Sequence, residues 1–155
     1  MTTVDDPGPV PGDAEWAEVT ILLVEDNPLD ARATVRAAQK LGVGPQVEVV
    51  TDGQAALERL RAERSTQQPI GLVLLDLSLP GKDGHDVLDE IRADDELCTT
   101  PVVILTSSHE SVDVQGAYQR GANAYVIKPT GLDDWFRTMA TIREFWLSLA
   151  VLPGP

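Results

Sequence analysis

The chain has 155 residues, with 12 Lys and Arg set against 25 Asp and Glu and a net charge of -13. That length suits one domain with a full core and leaves no room for a second globular unit, while the acidic balance offers no basic face to neutralise nucleic-acid phosphates. No run is long enough to span a membrane, MTTVDDPGPVPGD at the start lacks the basic and apolar regions of a signal peptide, and the lone Cys98 has no disulfide partner, so a cytoplasmic protein is expected.

Residues 1 to 18 carry Pro7, Pro9 and Pro11 among Asp5, Asp6, Asp13, Glu15 and Glu18, and read as a flexible acidic tail with Trp16 as its one apolar anchor. From Thr20 the pattern alternates. Strands are predicted near 20–25, 46–50, 71–76, 101–105 and 123–127. Helices are predicted near 28–41, 53–64, 84–94, 110–120 and 132–149, and 151–155 form a short C-terminal tail. Asn27 before Pro28 suits a helix cap with proline at the first helical position, and Gly42 suits the stop. Pro80, Gly81 and Gly84 mark a loop whose backbone can approach a ligand closely. Five strand-helix units predict an α/β domain over 19–150: a doubly wound parallel sheet of flavodoxin-like order 2-1-3-4-5 with helices on both faces.

Four of the apolar runs end in residues with chemistry: Glu25-Asp26 after ILLV, Asp76 after LVLL, Thr106 after VVIL and Lys128 after AYVI. Ligands in such sheets sit beyond the carboxyl ends of the strands, so one pocket is expected to hold all five side chains. Three carboxylates meeting there repel unless a cation joins them, and oxygen donors without Cys or His suit a hard ion such as Mg²⁺. An ammonium and a hydroxyl complete a clamp around an anion on that metal. The pocket is therefore built for a phosphoryl group, with an Asp as acceptor. Asp76 is the candidate, because a carboxylate at the end of a buried central strand is costly without a purpose.

VEDNP at 24–28, LVLLDLSLPGKDG at 72–84, PVVILTSS at 101–108 and GANAYVIKP at 121–129 resemble the signature blocks of response-regulator receiver domains, in content and in spacing. VEDNPLDA, GANAYVIKPTGLDD and the terminal FWLSLAVLP are similar, more narrowly, to single-domain regulators encoded with bacterial phytochromes. The resemblance implies Asp76 as phosphoacceptor, Asp26 as a direct Mg²⁺ ligand, Glu25 acting through a water, and the Ser78 backbone carbonyl as the remaining protein ligand. It implies that Lys128 reaches Asp76 at rest and the phosphoryl group afterwards, with a cis peptide bond before Pro129. Thr106 would donate a hydrogen bond to the same group, and Tyr125 would be the aromatic switch. It further implies a sensor histidine kinase or kinase-phosphatase, in particular a bacteriophytochrome, as partner. His85 and His109 read as helix-start and loop residues without a chemical role.

The last helix carries more apolar surface than the fold requires. Trp135, Met139, Ile142, Trp146 and Leu149 follow helical spacing, widened by Leu132, Phe136, Phe145 and Leu147 and continued by Val151 and Leu152. This stripe predicts a homodimer through the last helix and the tail. Nothing resembles an effector, so the output is protein contact or phosphate relay. Two rival readings are weaker. An aspartyl-phosphate phosphatase needs a second carboxylate two residues after the nucleophile, where this chain has Ser78, and a phosphate-independent scaffold would tolerate an incomplete acidic pocket.

Overall fold

A computed structural model describes residues 19–62 and 69–153. The tail at 1–18, with Trp16, lies outside the described residues. The strands are β1 (Thr20–Val24), β2 (Val47–Val50), β3 (Ile70–Leu75), β4 (Val102–Thr106) and β5 (Ala124–Ile127). The helices are α1 (Pro28–Lys40), α2 (Gly53–Ala62), α3 (Gly84–Ala93), α4 (Ser111–Gln119) and α5 (Leu132–Ile142). All strand pairs are parallel and the order is β2-β1-β3-β4-β5, as the alternation of elements predicts.

The three central strands are unbroken apolar runs because both of their faces are covered. Period-two alternation splits their side chains between two cores. Leu22, Val24, Val73, Leu75 and Ile104 pack under α2, α3 and α4, through Leu57, Leu60, Val87, Leu88 and Ile91. Ile21, Leu23, Leu72, Leu74 and Val103 pack under α1 and α5, through Ala37, Ala38, Met139 and Ile142. The edge strands are half-buried. With a single neighbour, β5 has all four residues half-buried.

The second core also corrects the reading of the last helix. Trp135, Met139 and Ile142 are 5%, 1% and 6% exposed, so they belong to the protomer's own interior and present no free surface. Among the described residues, α1 and α5, helped by Leu147 beyond α5, cover that side of the sheet, and α5 spends its best apolar stripe doing so. Trp146 is partly buried against the same core, and Leu149 alone of the five predicted interface residues is well exposed. The exposed apolar residues are instead Leu132, Phe136, Phe145, Leu149 and Val151. The helix also changes character, because Arg143–Leu149 continues in wider π-type turns.

Loop chemistry aims the chain at the sheet's carboxyl edge. Asn27 caps α1, its Oδ1 accepting from the N–H groups of Leu29 at 2.9 Å and Asp30 at 3.3 Å, with Pro28 in the first turn. Gly42 closes that helix with φ +80°. Asp83 caps α3 through the Asp86 N–H. Gly84 opens α3 directly against the Asp76 carbonyl, where any β-carbon would collide with backbone. At the opposite edge the Arg92 guanidinium donates to the carbonyls of Cys98, Thr100 and Gly121 and to Asn123 Oδ1, fixing the start of β4.

Candidate functional site

The backbone ladder brings the predicted residues to one edge. Val24 pairs with Leu75, and the N–H groups just beyond continue the pattern, Glu25 to Val50 at 3.0 Å and Asp76 to Val24 at 3.1 Å. Thr106 pairs with Ile127, and its carbonyl accepts the Lys128 N–H at 2.8 Å. Glu25, Asp76 and Thr106 are buried, whereas Asp26 is exposed at the mouth. Sequence order alone could not separate those two adjacent acids. The ladder does, turning Glu25 inward and Asp26 to solvent.

One oxygen from each of Glu25, Asp26 and Asp76 lies within 4.8 Å of the others. Hard oxygen donors at this separation suit a divalent cation. The electrostatics agree with that fit. Burial, joined by the neighbouring Asp76 charge, pushes the Glu25 carboxyl up to about 7, against the opposing hydrogen bonds from the Lys128 ammonium and from the Asn27 N–H at 3.0 Å. The cluster holds more negative charge than its one ammonium relieves.

Lys128 is the centre of the site. Its side chain is 7% exposed, and its Nζ contacts Asp76 Oδ2 at 2.7 Å, Glu25 Oε2 at 2.8 Å and Asp30 Oδ2 at 2.8 Å. Burial alone would weaken the ammonium's hold on its proton, but hydrogen bonds to Asp30, Asp76 and Glu25 outweigh it and push the pKa up. Asp30 was not among the predicted site residues. It stands in the first turn of α1, where its local sequence reads only as a helix-start acid. The cis bond expected before Pro129 is absent, since every described peptide bond is trans. Lys128 is placed without it by its backbone bond to Thr106 and by its three carboxylates.

Ser78 is exposed, and its N–H donates to Asp76 Oδ1 at 3.2 Å, so that both Asp76 oxygens have a donor. Tyr125 is half-buried against the first core, and its hydroxyl donates to the Ser108 carbonyl at 3.0 Å, tying the ring to the loop that follows Thr106. Burial raises the pKa of that hydroxyl. His85 stands second in α3 with Nε2 3.6 Å from Asp113, and His109 lies in an exposed loop.

The Glu25 shift gives a pH dependence. Between its ordinary value of 4.5 and about 7, the unfolded chain has released this proton while the folded chain keeps it. Stability without a cation therefore falls as pH rises through that window. Urea midpoints in chelator at pH 5.5 and 7.5 are expected to show a smaller loss with rising pH for Glu25→Gln than for wild type. Equal losses would show that Glu25 ionises normally.

The response regulator receiver domain model matches residues 21–140. The chain is 43% identical over 136 residues to the "Probable methanogenesis regulatory protein FilR2" of Methanothrix harundinacea, covering 87% of this chain and 88% of that one. It is 38% identical to response regulator Rcp1 of Synechocystis, over 86% of this chain and 92% of that one. The Mn²⁺-bound crystal structure of Rcp1 superposes with a TM-score of 0.77, at 37% identity over 88% of this chain and 99% of that one. The crystal structure of the phosphorylated cyanobacterial phytochrome response regulator RcpA gives a TM-score of 0.81, at 40% identity over 88% and 99% of the two chains. With a parallel sheet in the order 2-1-3-4-5 and a buried acidic cluster closed by a lysine at its carboxyl edge, the chain belongs to the response regulator receiver domain family.

Proposed function

We propose that this protein is a stand-alone response regulator that accepts a phosphoryl group on Asp76 from the phosphohistidine of a sensor kinase. The observation that carries the reading is the Lys128 ammonium 2.7 Å from Asp76 Oδ2 in a buried acidic cluster. Asp76 follows β3, the middle strand of the five, and both of its oxygens are held by donors. It attacks phosphorus, forming an acyl phosphate as the bond to the histidine nitrogen breaks. Lys128 moves its N–H from the Asp76 carboxylate to a phosphoryl oxygen, and the Thr106 hydroxyl donates to another. Alignment and charge neutralisation are most of what this transfer requires.

Glu25, Asp26, Asp76 and the Ser78 backbone carbonyl are the residues that would hold Mg²⁺. Asp26, at the solvent mouth, would hold it directly, and buried Glu25 would act through a water. Bound there, the ion would neutralise charge on the transferred group. Loss of the Lys128 contact at Asp76 and engagement of Thr106 would then be read by Tyr125 through its bond to the Ser108 carbonyl.

Near-complete coverage of Rcp1 and FilR2, at 92% and 88% of their lengths, supports action without a DNA-binding output domain. The chain is then a phosphoacceptor rather than an enzyme with a substrate of its own, and works in the cytoplasm. Likeness to RcpA supports a kinase or kinase-phosphatase of the bacteriophytochrome kind as partner. Radiolabel transferred from such an autophosphorylated kinase is expected on the wild-type chain within minutes. Failure to take label from any kinase of that class would remove the phytochrome assignment.

A homodimer through the last helix and tail is part of the same reading, carried by exposed Leu132, Phe136, Phe145, Leu149 and Val151 rather than by the buried stripe. The same apolar patch on two copies can cover itself about a twofold axis. Light scattering at tens of micromolar is expected to give a dimer for wild type and a monomer for Phe145→Asp. A monomeric wild type in both phosphorylation states would end the dimer proposal.

A further inference from the structure

We propose that the chain's own acidic N-terminal segment, residues 1–18, docks in the groove between α1 and α5, with Trp16 seated in it. A ridge of unbalanced positive charge marks the place. Arg32, Arg36 and Lys40 follow one another at four-residue spacing along the exposed side of α1, so they share one face of the helix. Among the described residues none of the three has an ion-pair partner, in a chain whose acids outnumber its bases 25 to 12.

Beside that ridge lies a groove of about 200 Å³. Ala33 and Ala37 of α1 line it together with Leu132, Trp135 and Phe136 of α5, and Arg36 and Lys40 stand along it. The small alanines leave the space, and the large apolar Leu132 and Phe136 are left exposed in it. An apolar slot bordered by cations fits an aromatic side chain flanked by carboxylates. The segment supplies one. Trp16 has Glu15 before it and Glu18 two positions beyond, and residues 1–18 hold five acids and no Lys or Arg.

The point of attachment favours this groove. A β-carbon on Gly71 would meet Val19 and Leu152 together, and Leu152 packs against the core under α1 and α5. Val19 therefore stands on the α1–α5 side of the sheet, at its amino edge. Helix α1 starts after β1 at the carboxyl edge and runs back, which brings its last turn and Lys40 to that same edge. Trp16 is three positions before Val19, an extended reach of about 10 Å. So short a tether makes capture intramolecular, and modest contacts suffice. Docking takes Leu132 and Phe136 and leaves exposed Phe145, Leu149 and Val151 for the contact between copies.

The test uses the full chain with fluorotryptophan at Trp16, Trp135 and Trp146, followed by fluorine NMR. The Trp16 signal is assigned with Trp16→Phe, and its change on moving from light to heavy water reads how far solvent reaches the ring. Wild type is expected to show less than half the change of free fluorotryptophan. Arg36→Glu with Lys40→Glu should restore the full change, and adding Glu15→Lys and Glu18→Lys to that variant should bring the protection back. Glu15→Lys with Glu18→Lys alone, which alters no residue of the folded domain, should expose the ring as well. An unmoved Trp146 signal checks the fold in every variant. A full change in wild type overturns the proposal, and so does protection that survives either charge reversal. Protection lost on dilution would give the groove to a second copy's segment and overturn it equally.

Discussion

Asp76→Asn is expected to reduce phosphoryl labelling to background while leaving the fold intact. The amide keeps one oxygen to accept from the Ser78 N–H or from Lys128, so the hydrogen-bond frame survives. What it loses is the anionic oxygen that attacks phosphorus, and no neighbour can replace it in place. Glu25 is buried with both oxygens committed to Lys128 and the Asn27 N–H, and Asp26 stands at the mouth. The charge change favours the folded state, because one of three mutually repelling carboxylates disappears. Acid-stable, hydroxylamine-sensitive label at the wild-type rate in Asp76→Asn would move the acceptor elsewhere. A thermal midpoint well below wild type would show that Asp76 also has a structural part that its contacts do not reveal.

Lys128→Met carries the second large effect, on stability as well as on chemistry. Removing the ammonium leaves Glu25, Asp30 and Asp76 facing one another at a buried edge. Losing one side of a buried charge network costs about 3 to 5 kcal/mol. The sign with pH follows from Glu25: its carboxyl, already pushed up by burial, loses the lysine hydrogen bond that holds it down, so the loss grows as pH increases. Denaturant midpoints in chelator are expected to fall far more at pH 8 than at pH 6, and millimolar Mg²⁺ should recover part of the difference. Labelling should fall with the loss of the clamp. A midpoint matching wild type at pH 8 would mean that Lys128 is not the group balancing this cluster.

Much of this site was legible in the chain because the sheet makes it so. A strand that must be apolar on both faces shows where it ends, and the residue that ends it stands at the ligand edge; Asp76, Thr106 and Lys128 are found in that way. The Asn27-Pro28 cap was legible from local chemistry alone. Residues whose placement depends on a neighbour were not. Asp30 reaches Lys128 across 98 positions of sequence, and nothing local distinguishes it from a solvated helix-start acid. The apolar stripe of α5 was misassigned for a related reason. Helical spacing shows that Trp135, Met139 and Ile142 share a face, but only the count of helices on that side of the sheet shows that the core consumes it. The shift to π-type turns at Arg143 has no sequence signal that we can name.

The central claim, phosphoryl capture on Asp76 in a cation-dependent pocket, is tested most directly by intact-mass spectrometry of wild type and Asp76→Asn after acetyl phosphate treatment, with Mg²⁺ and with chelator. The expected result is a gain of one phosphoryl group, about 80 Da, in wild type with Mg²⁺ only. An equal gain in both proteins, or one indifferent to chelator, would contradict it.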